Sequence, residues 1–500
     1  LLSEYDKAKR LAEPGRIVKR QFLREYIPFD RIMNKYQQIL AIIIASLVFR
    51  CTNTAAQTIT PFKSGDRVVF AGNSITDGGH YHSYIWLYYM TRFPNEQVTI
   101  VNAGIGGDVC KQMLERLDGD VFSKRPTIVT FTFGMNDTGY QNFPPARADS
   151  VYSREIEESL KYFKLVVARL NQHPEIKKIM LGCPPYDETS KIRSTPLLKK
   201  NTAIIKIIAA QKEAAMRNKW GFVDFNAPML LINRRGQQKD STFTMEAPDR
   251  IHPTNDGQMV MAYIFLTAQG LANKKVADMR IDAKNRRIES CENCKLTNFV
   301  ENAGGISFDY LGKSLPYPLD TIPGGFGRPE RSQADALKLI PFTDEYNQEF
   351  VNIKGLDSSS SYQLKIDDKN IGRWTGAEME KGINIGLISA TPEYQQALAI
   401  MHLNEERWAI ERRLREYYWL QYSILKPKGL LFNDNESTVD SLQKYAKKDF
   451  FVAVTLPTYQ KARFKIVRDA WKKEMDMLIN EIYRVNKPKL HHFEITFYKK

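Results

Sequence analysis

The sequence predicts an α/β protein with a three-layer α/β/α domain around a parallel five-stranded sheet, then a β-rich module and a helical C-terminal region. Three observations carry this. Between residues 66 and 273, short apolar runs alternate with longer stretches of helical periodicity. From 280 to 385 the period shortens to two and Pro/Gly-rich breaks appear, as in Pro316–Pro329. From Thr391 onward the pattern is helical.

In order, the strand candidates of the first domain (residues 60–275) are Arg67–Phe70, Val98–Asn102, Thr127–Phe133, Lys178–Gly182 and Phe222–Phe225. Helical stretches fall near 80–93, 108–118, 150–172, 195–219 and 255–272. Right-handed crossovers between such units place helices on both faces of one sheet. Residues 280–388 read as a β-sandwich-like module, with strands at Ile281–Ser290, Ile306–Leu315, Phe350–Leu356 and Tyr362–Ile371. Residues 389–500 read as a helical region with long helices at Asn404–Leu425 and about Tyr459–Val485. Trp408, Tyr417, Tyr418, Trp419 and Tyr422 on the first of these read as a core face rather than a sugar platform.

Five hundred residues exceed a single compact core, and 43% hydrophobic with 26% charged residues is an ordinary globular composition. The net charge of +15 is no nucleic-acid footprint: +5 lies in residues 1–56, and the other basic residues are interleaved with acids. Residues 1–32 read as an upstream extension. Residues 33–56 read as a bacterial-type signal peptide, with Lys35, the apolar run Ile39–Phe49 and small residues before Gln57. Export to the periplasm, cell surface or exterior follows, with a lipid anchor at Cys51 or an uncleaved signal as the membrane-associated alternatives. Cys291 and Cys294 form one isolated CxxC with no His pair to complete a zinc site, so a local disulfide or two free thiols is expected and no metal.

Four short segments carry the chemistry. Gly72-Asn-Ser74 follows the first strand. Asn102-Ala-Gly-Ile-Gly-Gly107-Asp108 follows the second; its spacing is not that of a dinucleotide-binding loop, and Gly107 is the best-placed residue to expose a backbone N–H. Gly134-Met-Asn136-Asp137 follows the third, with an amide to aim into the crevice or to cap a helix. Asp249-Arg-Ile-His252 lies just before the last helix, with the acid three residues ahead of the histidine. Acyl transfer needs this set: a hydroxyl nucleophile, a base for its proton, a carboxylate to orient the base, and donors for an oxyanion.

In these four ordered blocks the chain resembles the SGNH (GDSL-type) hydrolases, an esterase and lipase superfamily, over roughly residues 64–273. The resemblance implies a flavodoxin-like sheet, Ser74 as nucleophile, His252 as general base and Asp249 as its partner. The oxyanion hole it implies comprises the Ser74 and Gly107 N–H groups and the Asn136 amide, with no cofactor. Asn73 stands where the family usually has Asp, a position that shapes the turn.

The expected function is that of a secreted serine esterase removing acetyl or other short acyl groups from carbohydrate. A nucleophile loop rich in polar residues (Thr76, Asp77, His80, His82) favours it. The alternatives are a lipase or thioesterase for longer chains, or a non-catalytic glycan-binding surface protein. The expected partner is an acylated carbohydrate or other small ester, with no nucleic acid.

Overall fold

A computed structural model describes residues 59–324 and 331–499, apart from Ala303. The extension, the signal segment and Cys51 lie outside the described residues.

The apolar runs of the first domain pair as β1 (Arg67–Gly72), β2 (Thr99–Gly104), β3 (Ile128–Phe131), β4 (Lys177–Gly182) and β5 (Gly221–Asp224). Their order is β2-β1-β3-β4-β5, and every neighbouring pair is parallel. Val68, Val69 and Phe70 are wholly buried, as a central strand covered on both faces must be. Chain direction across the sheet reverses between β1 and β3, and α/β folds open a ligand crevice at such a switch point.

Among the described residues, seven α-helices accompany this sheet: α1 (Ser74–Asp77), α2 (Tyr81–Arg92), α3 (Cys110–Glu115), α4 (Pro145–Asn171), α5 (Lys200–Asn218), α6 (Asn226–Gln237) and α7 (Asn255–Ala268). Helix α6 was not among the expected helical stretches. Pro228 sits in the first turn, where a missing N–H costs nothing. Gly236 is needed: a Cβ there would lie 2.2 Å from the Phe243 ring.

The second half contains β6 (Ala277–Asp282), β7 (Arg287–Glu292), β8 (Cys294–Asn302), β9 (Gly305–Gly312), α8 (Phe342–Tyr346), β10 (Glu349–Lys354), β11 (Ser361–Ile366), β12 (Lys369–Thr375), α9 (Gly376–Lys381) and β13 (Ile383–Asn384). Then come α10 (Pro392–Trp419), α11 (Glu436–Ala446), α12 (Phe450–Ala462), α13 (Lys465–Val485) and β14 (Leu490–Phe497). The single strand expected at Ile281–Ser290 is two, joined by a turn. Asp367 and Asp368, at φ 47° and 65°, form the tight turn between β11 and β12. The helix expected from about Tyr459 is broken at 463–464 into α12 and α13.

Residues 389–500 are not helical throughout. Strand β14 lies between β9 and β11 in a five-stranded sheet ordered β12-β11-β14-β9-β8, beside a four-stranded sheet β13-β10-β6-β7. Both sheets share one apolar core, with Met279, Ile281 and Val351 from one and Phe308, Leu364, Phe493 and Ile495 from the other. The inward residues of β14 (His491, Phe493, Ile495) alternate with outward ones, a period-two signal in a segment too short to stand out after a long helix. Cys291, exposed, and Cys294, buried, are free thiols.

Helix α10 lies against α2, which explains why α2 is buried on every side. The contact is polar as well as apolar. Asn404 donates to Ser83 Oγ at 2.9 Å, and the Arg407 guanidinium stands 4.6 Å from the Trp86 ring centre.

Candidate active site

The turn after β1 is built on close approach. A Cβ at Gly72 would lie 2.2 Å from Thr76 Oγ1, so only glycine lets the chain enter α1 here. Asn73 caps that helix, its side-chain oxygen accepting the Ile75 N–H at 3.0 Å. Asn thus does the capping that an Asp would do. Ser74 is the first residue of α1, so its N–H has no partner inside the helix.

His252 reaches this serine from the far end of the chain. Its Nε2 lies 2.8 Å from Ser74 Oγ and its Nδ1 lies 2.6 Å from Asp249 Oδ2. The other Asp249 oxygen accepts the backbone N–H groups of Ile251 and His252, at 2.9 and 3.0 Å. Burial alone would raise the Asp249 carboxyl, but the hydrogen bond and charge of His252, with those N–H groups, outweigh it and hold the group below its ordinary value. The carboxylate is therefore ionised and fixed, and it orients the ring with Nε2 toward the hydroxyl.

Gly107 has φ +87°, a conformation that turns its backbone into the same pocket. Asn136 donates one amide hydrogen to Asp108 O at 2.8 Å, and its side-chain oxygen accepts from the Tyr140 hydroxyl. An amide nitrogen has two hydrogens, so one remains for a ligand. Asp137, the next residue, clamps the loops together. Its carboxylate accepts from the N–H groups of Gly134 and Cys110, both at 2.9 Å, and from Ser159 Oγ at 2.6 Å. Ser74, Gly107, Asn136 and His252 thus line one pocket of about 720 Å³, with Asp249 behind the histidine.

Of the polar residues expected at the nucleophile loop, Asp77 and His80 line this pocket, whereas Thr76 and His82 are buried inside. Burial pushes His82 down to about 4, so it is neutral, with Nε2–H donating to Thr76 O at 3.2 Å. The mouth is less polar than the sequence suggested, because α10 and α12 add Trp419, Phe450, Phe451 and Val454 to it.

Sequence reasoning missed how the C-terminal helices hold the site. Arg415 of α10 donates to both oxygens of Asp120, at 2.9 Å each, and to Gly104 O at 2.9 Å. Arg116 joins Asp108 (2.6 Å), Asp120 (2.7 Å), Ala103 O (2.8 Å) and Gly72 O (3.0 Å), tying the ends of β1 and β2 together. Burial would raise Asp120, but Arg415, Lys124 and Arg116 overcome this and keep it ionised. The core reading of these aromatics holds for Tyr417, on α10, and Tyr422, just beyond its end, which are buried. Trp408 instead stacks on His80, ring centres 3.9 Å apart, and Trp419 donates to Gly106 O at 3.1 Å. The only signal was their helical spacing among arginines and glutamates, which fits a solvated face equally well.

This fold and hydrogen-bond chain define a class, the serine-type ester hydrolases with a flavodoxin-like sheet. Residues 70–260 match the GDSL-like lipase/acylhydrolase family, and residues 398–487 match the diltiazem deacetylase C-terminal helical domain. A solved structure of a gut microbial diltiazem-metabolizing enzyme is 48% identical. The match covers 88% of this chain and 100% of that one, with a TM-score of 0.86. An acetylxylan esterase from Geobacillus stearothermophilus is 28% identical over 226 residues, 41% of this chain and 95% of that protein. The chain belongs to the GDSL (SGNH) hydrolase family and is a carboxylic ester hydrolase. The reading as a non-catalytic glycan-binding protein is set aside.

Proposed function

We propose that this enzyme removes acetyl groups from esters of compact aromatic alcohols through an acyl-enzyme on Ser74. His252 takes the Ser74 proton as Oγ attacks the ester carbonyl, then gives it to the departing alcohol. The same histidine activates the water that releases acetate, while Asp249 holds the ring and balances its charge. The oxyanion is held by the Ser74 and Gly107 N–H groups and the free hydrogen of Asn136 Nδ2. The observation that carries the reading is the bridge of His252 between Ser74 (2.8 Å) and Asp249 (2.6 Å) beneath an aromatic rim. The rim favours an aromatic alcohol, and two of the similarities are to proteins described as an acetylxylan esterase and a diltiazem deacetylase, both of which point to acetate.

A second reading, O-acetylated carbohydrate, is favoured by the acetylxylan esterase similarity and by the polar side of the mouth (His80, Asn255, Arg412, Glu416). The test is a protein beginning at Gln57, beside its Ser74→Ala variant. Both are offered diltiazem, 2-naphthyl acetate, acetylated xylan and p-nitrophenyl acetate, butyrate and octanoate. Ser74-dependent turnover fastest on the aromatic acetates supports the first reading. Faster release from xylan selects the second, and preference for octanoate makes the enzyme a lipase or thioesterase. Export by way of the segment 33–56 is part of the proposal, and a mature N-terminus other than Gln57 in the secreted or membrane fraction would overturn that cleavage point.

A further inference from the structure

Lys200, the first residue of α5, is wholly buried, and among the described residues no carboxylate pairs with it. Its Nζ donates to Met135 O at 2.8 Å, Thr138 Oγ1 at 2.7 Å and Gly139 O at 2.5 Å. All three acceptors belong to the loop that carries Asn136. The ammonium also lies 4.2 Å from the centre of the Tyr140 ring, whose hydroxyl donates to Asn136 Oδ1. Three donors meet three acceptors with none left over.

Burying an ammonium without a counter-ion is costly, and an apolar side chain of the same length would fill this space with no such penalty. The charge is spent instead on a grip. We infer that Lys200 is a positioning residue for the oxyanion hole: it holds the 135–140 loop so that the free hydrogen of Asn136 Nδ2 stays aimed at the reacting carbonyl. This inference rests on the Ser74 esterase reading.

Burial pushes Lys200 down to about 7, so the grip titrates in the working range. The ionisable groups facing it come from two connections, the one after β3 and the one between β4 and α5. Cys183, after β4, is a thiol that burial raises and keeps neutral. Asp137 is spent on the loop clamp described above. Glu188 caps the start of α5, accepting the N–H groups of Lys199 and Asn201 at 3.0 and 2.6 Å. Tyr186 presents its ring from the other side at 5.8 Å. Below the Lys200 midpoint the ammonium fills all three acceptors. Above it the amine has two hydrogens and turns a lone pair toward the third, so the loop loses a tether and kcat falls with rising pH. A general base acts in the opposite sense, since losing its proton raises activity.

The experiment measures kcat and KM on p-nitrophenyl acetate across the neutral range and two units either side, for the wild type, Lys200→Met and Ser74→Ala. Lys200→Met should lower kcat about 10- to 100-fold with KM little changed, a fraction of the loss of a whole oxyanion donor. It should also abolish the alkaline fall. A Lys200→Met enzyme with wild-type kcat, or with the alkaline fall intact, overturns the inference. Should that variant not fold, ¹³C-lysine resonances of the wild type decide. One lysine titrating near 7, at the midpoint of the fall in kcat, supports the inference, and a mismatch between the two refutes it. Hydrolysis surviving in Ser74→Ala would sink the esterase reading instead, so the two failures are distinct.

Discussion

The floor and the rim of the pocket are held in opposite ways. On the floor, the groups that face a reacting carbonyl are fixed by hydrogen bonds. His252 is held by Asp249, Asn136 by Asp108 and Tyr140, and the strand ends by Arg116. On the rim, α12 anchors itself by Val452, Tyr459 and Ala462, wholly buried, and leaves Phe450 (73% exposed), Phe451 (60%) and Val454 (52%) facing the pocket. Directional bonds fix the chemistry to fractions of an ångström, whereas apolar contact tolerates exchange of side chains. The difference teaches that reaction and substrate choice are separable here. On the proposed function, the first belongs to the α/β domain and the second to the aromatic rim, which a helix almost four hundred residues further along the chain supplies.

Substitutions on the floor should strike kcat on every ester, and those on the rim only some esters. Ser74→Ala should cost on the order of 10⁴- to 10⁶-fold in kcat, read as turnover of p-nitrophenyl acetate with KM unaffected. Asn136→Ala should cost about 10²- to 10³-fold. If it raises KM and spares kcat, the amide binds ground state rather than oxyanion. Arg415→Met removes one of three cations around buried Asp120 and should lower unfolding stability by about 3 kcal/mol, near the low end for a broken buried pair because Arg116 and Lys124 remain. Urea denaturation measures this, and an unchanged midpoint would show the link between α10 and the α/β domain to be dispensable. Smallest, Phe450→Ala and Phe451→Ala should each lower kcat/KM on 2-naphthyl acetate by about 1–2 kcal/mol, roughly 5- to 30-fold. On p-nitrophenyl acetate they should do less, and equal losses on both substrates would erase the distinction between floor and rim.

The floor was legible in the sequence because its constraints are local. Gly72 must be glycine because a Cβ would collide with Thr76, Gly107 because its φ is positive, and Asp249 and His252 are three residues apart on one turn. So was the parallel sheet, whose strands are short, mostly apolar runs set between longer helical stretches. The rim was not legible. Phe450 and Phe451 open an ordinary helix, and nothing near them in the sequence announces that the helix lies over Ser74. Arg116, Arg415 and Lys200 were missed for a related reason: a charged residue is presumed solvated, and only the fold reveals a buried partner. Strand β14 hid because eight residues of period two carry little weight beside the twenty-one-residue helix before it.

That strand has a consequence for biosynthesis. β14 is an inner strand, hydrogen-bonded to β9 on one side and β11 on the other. Emerging from the ribosome, β9 and β11 precede it by more than a hundred residues, so each presents a bare edge until β14 follows. The α/β domain can pack while the rest is still being made, but this sheet closes only after Phe497 has left the exit tunnel. Folding of the second half therefore waits on a strand made more than a hundred residues after its partners, the long-range pairing that slows β assembly. A stalled or prematurely terminated chain would carry a finished nucleophile loop beside two adhesive strand edges, a species for chaperones or proteases to intercept.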